Sequence, residues 1–138
     1  MNIKLDHLAE MPSRAYPNDA GLDLRTPKRT VIHPGSSAII DTGVHIDIPA
    51  GYYGKLESKS GLLFKHSIVC PGGVIDAGYT GSIGVMLENH GGKVYIFERG
   101  DKIAQLIIQP CETPDLYLVD DLKSDNGRGD NGFGSSGR

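Results

Sequence analysis

Residues Gly73–Leu87 read G-V-I-D-A-G-Y-T-G followed by S-I-G-V-M-L. In the second half Ile83, Val85 and Leu87 alternate with other residues, the period-two pattern of a strand with one buried face. In the first half, glycines on both sides of one carboxylate, Asp76, and one aromatic, Tyr79, mark tight turning. The simplest geometry is a β-hairpin with an acid and a ring at its tip. Such a tip offers backbone N–H and C=O groups to a flat polar ligand. Tyr79 can lie against a ring or sugar, and Asp76 can orient a water or act as a base. An Asp beside a hairpin is most often ordinary turn chemistry, so its weight depends on what the remaining sequence brings beside it.

Working outward, the same short-strand pattern repeats. Strands are expected over Asn2–Leu8, Ala20–Thr26, Ser36–Thr42, Val44–Ile48, Tyr52–Ser58, Ser82–Leu87, Lys93–Phe97, Ile103–Gln109 and Leu116–Val119, with a short extended run at Ile68–Val69. Val44, Ile46 and Ile48 point inward while His45 and Asp47 point outward. Leu62–His66 is the one stretch expected to be helical, for a turn or two. Nineteen Gly and eight Pro supply the turns between these segments, which implies an all-β protein, a jelly-roll-like sandwich or barrel of many short strands.

The chain has 138 residues, the size of one domain, and 38% hydrophobic residues without Trp. Its net charge of −3, with no clustered basic block, argues against a general nucleic-acid binder. It leaves room for a small phosphate ligand held by a few cations and a bound metal. Cys70 and Cys111 have no C-x-x-C or Cys/His ligand spacing and read as free thiols of a reducing compartment. No segment approaches the ~18 apolar residues that span a bilayer. The expected location is therefore the cytoplasm, or the nucleus or host-cell cytosol for a eukaryotic or viral source.

From Ser124 the composition changes to S-D-N-G-R-G-D-N-G-F-G-S-S-G-R, with Phe133 as the single apolar residue. A segment this polar does not bury enough surface to order itself. Residues 1–123 are thus expected to form the β domain and 124–138 a flexible tail. Arg128, Ser135 and Ser136 amid glycine nonetheless form a set suited to gripping phosphate oxygens.

Five segments combine small residues with a polar or charged group: A-G-L-D-L at Ala20–Leu24, S-K-S-G at Ser58–Gly61, G-V-I-D-A-G-Y-T-G, R-G-D-K-I-A-Q at Arg99–Gln105, and R-G-D-N-G-F-G-S-S-G at Arg128–Gly137. In order, spacing and residues they resemble the five motifs of the trimeric dUTP pyrophosphatases, the dUTPases. The resemblance runs from about Ala20 to the C-terminus, and its third and fifth motifs are the most specific.

That resemblance implies hydrolysis of dUTP to dUMP and pyrophosphate, with Mg²⁺ across the triphosphate, by a homotrimer with shared active sites. Gly73, Val74 and Ile75 would bind uracil through the backbone and refuse thymine, and Tyr79 would pack on the deoxyribose. Asp76 would meet the sugar 3′-hydroxyl and orient the attacking water. Gln105 would contact the α-phosphate region and that water. Lys59, Ser60 and Gly61 would serve the phosphates, with Asp23 near the metal's waters. Arg128, Ser135 and Ser136 would grip the terminal phosphate, while Phe133 stacks over the base within Phe133-Gly134. The tail would close over a neighbouring subunit's site. No direct protein ligand to the metal is implied, and neither a nucleic acid nor a membrane is an expected partner.

Three positions depart from the family pattern. Lys59 stands where Arg is usual, which keeps the charge but loses the planar two-pronged donor. Gly78 replaces a second acid. Lys102 stands where Arg is frequent and is expected to be a surface or subunit-contact change. Read without the family, Asp23 is an exposed strand acid, Lys59 and Arg99 are solvated cations, and Ser58 or Ser60 caps a helix. The five histidines lack ligand spacing and none is assigned a catalytic role. Two rival functions are a catalytically weakened, regulatory protein of the same fold and a dCTP deaminase. The second would require a catalytic Glu where the matching positions hold Asp76 and Tyr79.

Overall fold

The computed structural model describes residues 1–123 and 127–132. In chain order its elements are β1 (Ile3–Leu5), β2 (Gly21–Arg25), β3 (Thr30–Ile32), β4 (Ser37–Asp41), β5 (Val44–Ile46), β6 (Tyr52–Glu57), α1 (Ser60–His66), β7 (Ile68–Val69), β8 (Val74–Ile75), β9 (Gly84–Asn89), β10 (Tyr95–Phe97) and β11 (Lys102–Pro110). Among the described residues the larger sheets run β2-β11-β6-β8 and β4-β9-β7, and β1-β5 and β10-β3 form two-stranded pairs. The fold is all-β and sandwich-like, with open sheets rather than a closed barrel.

Alternation decides which side of each sheet becomes core. In the larger sheet Leu106 of β11 lies opposite Leu22 of β2 and Leu56 of β6. Leu24, Leu56 and Leu106 are buried, as are Ile40, Val85 and Leu87 of the facing sheet. Ile32, Phe97 and Ile103 complete the same core. One residue away from Leu106 the pleat reverses, so Gln105, Asp23 and Glu57 share the opposite face in direct register. That face carries the polar chemistry.

Three expectations are corrected. Gly73–Leu87 is not a hairpin: β8 pairs with Gly54–Lys55 of β6, whereas β9 pairs with β4 and β7. The connection between them crosses from one sheet to the other, because each half buries its apolar residues against a different partner. Leu116–Val119 is no strand; it pairs with no described strand, and Leu118 is 103% exposed. Its alternation is real, but a strand needs an edge to pair with. The helix is capped by neither serine: its N-cap is Lys59, which makes no side-chain cap, and the Ser58 hydroxyl exchanges hydrogen bonds with the Cys70 backbone. The strand at Thr30–Ile32 was not expected. Its three β-branched residues favour extension, but three positions are too few to show a period.

Candidate active site

The candidate site residues of the β domain fall into two groups at different places on the larger sheet. The first is built around Asp23, whose backbone sits in β2 opposite Gln105 of β11. Asp23 is only 5% exposed, and both its carboxylate oxygens are taken. Lys59 donates to Oδ1, and Lys102 Nζ lies 2.6 Å from Oδ2. Burial by itself would raise the Asp23 pKa, but the hydrogen bonds from Lys102 and Lys59 outweigh it and hold the carboxyl below the ordinary carboxylate value. Asp23 is therefore not an exposed strand acid, and Lys102 is not a surface replacement. It completes a Lys-Asp-Lys bridge that ties β2, the start of β11 and the residue before α1 together. The family resemblance already set Asp23 near the cation at Lys59, but the role of Lys102 was missed because Lys102 and Asp23 are far apart in the chain and meet only through the sheet register.

Gln105 extends the bridge. Its Nε2 donates to the Ser58 carbonyl at 3.0 Å, so the strand holds the segment that leads into the helix. Ser60 and Gly61 occupy the first turn of α1 beside Lys59. This group therefore joins Asp23, Lys59, Ser60, Gly61, Lys102 and Gln105: two cations, one buried anion, and helix-start N–H groups that lack intrahelical partners.

The second group is the turn after β8. The Tyr79 N–H donates to the Asp76 carbonyl at 3.2 Å, and Gly78 has φ +79°. A four-residue turn with a positive φ at its third position needs Gly or Asn there. This explains Gly78, which in the sequence was only a departure from pattern. Asp76 is exposed, and the Tyr79 ring is 46% exposed, with its hydroxyl donating to the Ser82 carbonyl at 3.0 Å. The ring folds back over Gly81, where any Cβ would collide with it. Val74 is exposed and Gly73 accepts from the Leu56 N–H at 3.0 Å.

The two groups do not meet within one chain. Gln105 pairs with Glu57 and Ile75 pairs with Gly54, so the groups are displaced by three residues along β6 and by two strand spacings across it. At about 3.3 Å per residue and 4.8 Å per strand, Gln105 and Ile75 are roughly 14 Å apart. Of the tail, Arg128 is exposed and forms a local turn in which its Nε donates to the Asn131 carbonyl at 3.3 Å. Phe133, Gly134, Ser135 and Ser136 lie outside the described residues. Among the described residues no three His, Cys, Asp or Glu side chains stand together as a metal cage. No described helix is long and apolar enough to cross a membrane.

An open all-β sandwich that presents a Lys-Asp-Lys cluster beside a helix start and, separately, an exposed acid-and-ring turn is a protein with charged and hydrogen-bonding groups arranged for a polar ligand. Comparison with known proteins narrows that class. The dUTPase family model matches residues 7–137. The chain is 44% identical over 131 residues to the deoxyuridine 5'-triphosphate nucleotidohydrolase of Anaeromyxobacter sp. (strain Fw109-5), covering 94% of this chain and 88% of that protein. The Arabidopsis thaliana protein of the same name is also 44% identical, over 97% of this chain and 80% of its own length. Among solved structures, the Staphylococcus bacteriophage 80alpha dUTPase with dUPNHPP superposes with a TM-score of 0.92 at 35% identity, covering 99% of this chain and 98% of that one. A mutant dUTPase from phage phi11 of S. aureus, described with a structural Mg(II) ion, gives a TM-score of 0.83 at 33% identity, covering 89% and 98%. This chain belongs to the dUTPase family.

Proposed function

We propose that this protein hydrolyses dUTP to dUMP and pyrophosphate, keeping uracil out of DNA and supplying dUMP for dTMP synthesis. The observation that carries the reading is the exposed Asp76–Tyr79 turn, preceded by the exposed residues Gly73 and Val74, in a chain that belongs to the dUTPase family. A base held by backbone groups of Gly73, Val74 and Ile75 is read by its hydrogen-bonding edge, and the Tyr79 ring beside it covers the sugar. Asp76, exposed at the head of the turn, accepts a proton from the attacking water and aims it in line at the α-phosphorus.

The Asp23 bridge serves the phosphate end. Lys59 and Lys102 present positive charge there, while Asp23 keeps the two ammonium groups from repelling each other. Gln105 holds Ser58, and through it the start of α1, so that Ser60 and Gly61 face the phosphates. With both Asp23 oxygens already engaged by lysines, this cluster fits a Mg²⁺ that the substrate rather than a protein carboxylate would hold, with Asp23 and its lysines lining the phosphate end. When bound, Mg²⁺ supplies neutralisation of the phosphate charge.

The separation of the two groups supports a site assembled between subunits. A homotrimer in which one copy brings the Asp23 group, another brings Asp76 and Tyr79, and a third brings the tail resolves it. The exposed apolar side chains of Leu116, Tyr117, Leu118 and Leu122 favour such an assembly, since a lone chain would leave them in water. In this reading residues 1–123 form the β domain. Residues 124–138 close over the pocket, Arg128 and the two serines on the terminal phosphate and Phe133 over the base.

Pyrophosphate release measured with Mg²⁺ across dUTP, dTTP, dCTP and UTP tests the proposal. Strong preference for dUTP is expected, with turnover lost and binding retained in Asp76→Asn. Equal hydrolysis of dTTP would sink the uracil-reading turn, and ammonia release from dCTP would replace the activity altogether.

A further inference from the structure

His45, on β5, faces two acceptors at once. Its Nδ1 lies 2.8 Å from the Thr80 carbonyl oxygen, and its Nε2 lies 3.0 Å from Oδ2 of Asp6. Thr80 directly follows Tyr79 in the turn that carries the proposed base and sugar contacts. Neither a carbonyl nor an ionised carboxylate has a proton to give, and a neutral imidazole has one N–H. The ring satisfies both partners only as the imidazolium. With a single proton it serves one acceptor and turns a lone pair on the other.

We propose that His45 is a positioning residue for the substrate-binding turn, clamping Thr80 to Asp6, just past β1, while both ring nitrogens carry protons and letting go of one partner when either proton leaves. The consequence for substrate rests on the functional reading above; the clamp itself does not.

The surroundings favour the charged ring. Its side chain is 17% exposed, so water competes only partly for the two contacts. Lys4 stands opposite His45 in the β1–β5 register and lies 3.7 Å from Asp6. Asp41, at the end of β4, holds the Ser82 hydroxyl and the Gly43 N–H and fixes the far end of the same turn. Asp47, just past β5, is engaged by Asn2. The Asp6 hydrogen bond, then the Thr80 contact, raise the His45 pKa above 6.5 against opposing burial and Lys4. The His45 hydrogen bond in turn lowers the Asp6 pKa below 3.8. A raised histidine keeps its contribution whole below the ordinary histidine value and loses it as pH rises through the raised one. A lowered aspartate loses its contribution only as pH falls through the lowered value. The clamp is therefore complete across the mildly acid range and opens on the alkaline side.

The test compares the wild type with Asp6→Asn and His45→Gln. In Asp6→Asn the new side-chain amide donates to Nε2, so a neutral ring satisfies both partners; in His45→Gln nothing titrates at that position. In the ligand-free protein, NMR should show the Gly81 amide shifting with the same midpoint as the His45 ring, and no such shift in either variant. A Gly81 amide that ignores the His45 titration overturns the clamp. In turnover of dUTP, KM of the wild type should rise about three- to tenfold as pH passes that midpoint, with kcat changing by less than about twofold. Both variants should show flat KM once the shared titration of the substrate is divided out. Wild-type and Asp6→Asn profiles of the same shape overturn the proposal. A protein that turns over no dUTP at any pH removes the functional reading, and the NMR arm then decides the clamp.

Discussion

Asp23 and Gly78 show how much one residue decides here. Asp23 is buried on the polar face of the sheet because Lys59 and Lys102 cover its two oxygens. Removing its charge leaves two ammonium groups close together, but both lysines are partly exposed and can swing toward water. Asp23→Asn should therefore cost about 1–3 kcal/mol, less than a fully enclosed pair would. Denaturant unfolding checks the magnitude, and a pH series checks the cause. The lowered pKa of Asp23 means that its contribution is present above the ordinary value of 3.8 and disappears as pH falls through the lowered one. The gap between wild type and variant should close in strong acid. Gly78 makes the opposite kind of demand: no neighbour crowds its Cβ position, so only its backbone angle matters. Gly78→Ala should lose about 1 kcal/mol, and Gly78→Asn clearly less, since Asn tolerates a positive φ. Equal losses would mean that the turn is not what selects glycine.

Among the elements, β11 has the most to coordinate. One face of it puts Ile103, Ala104 and Leu106 into the core through the irregular register at its start, and the other face presents Gln105 to Ser58. Gln105→Ala should free the segment before α1, raising KM for dUTP as Ser60 and Gly61 lose their placement, with little change in Tm. Gln105→Glu keeps the length but puts a carboxylate against the Ser58 carbonyl, so it should not rescue KM. Strand β10 is a contrasting case with a purely structural task. Phe97 is fully buried and its ring packs against Tyr95, which in turn meets His66 at the end of the helix. Phe97→Ala should lower stability by about 3–5 kcal/mol in denaturant unfolding while the surviving folded fraction keeps its KM.

On the scale of the whole molecule, the separation of roughly 14 Å between Gln105 and Ile75 is the main constraint. If one chain completed its own site, mixing two variants that each lack one group would give no more turnover than the sum of the two. If sites are shared, Asp76→Asn and Gln105→Ala subunits, unfolded together and refolded, should exceed that sum at dUTP well below the raised KM of Gln105→Ala, because some sites then draw intact groups from different chains. Refolded separately and then combined, they should show only the weak turnover of Gln105→Ala at that concentration. Absence of recovery in the co-refolded sample, with trimers present on a sizing column, would argue for sites complete within one chain. In the shared-site reading proposed above, truncation after Asp125 should leave a folded trimer on a sizing column that turns over poorly, because that reading gives the tail the closing of the site and not the building of the core.

Much of this organisation is local, and local patterns are legible in a sequence. The alternation of Val44, Ile46 and Ile48 and the turn-forming glycines were enough to indicate an all-β sandwich, and the resemblance of five short motifs to those of the dUTPases implied nucleoside triphosphate chemistry. Where two segments far apart in the chain had to find each other, the sequence was silent. The pairing of Val74–Ile75 with Gly54–Lys55 replaced the expected hairpin, and the register of β2 on β11 brought Lys102 to Asp23. The strand-like Leu116–Val119 remained without a partner among the described residues. Periodicity reports which face of a segment avoids water, since that depends only on neighbouring side chains. Which edge the segment joins depends on competition among all the strands for the same hydrogen bonds, and that is settled only when the whole sheet is assembled. The turn at Asp76–Tyr79 belongs to both levels: its residues and their chemistry are written locally, while its anchorage by His45 and Asp41 comes from strands remote in sequence.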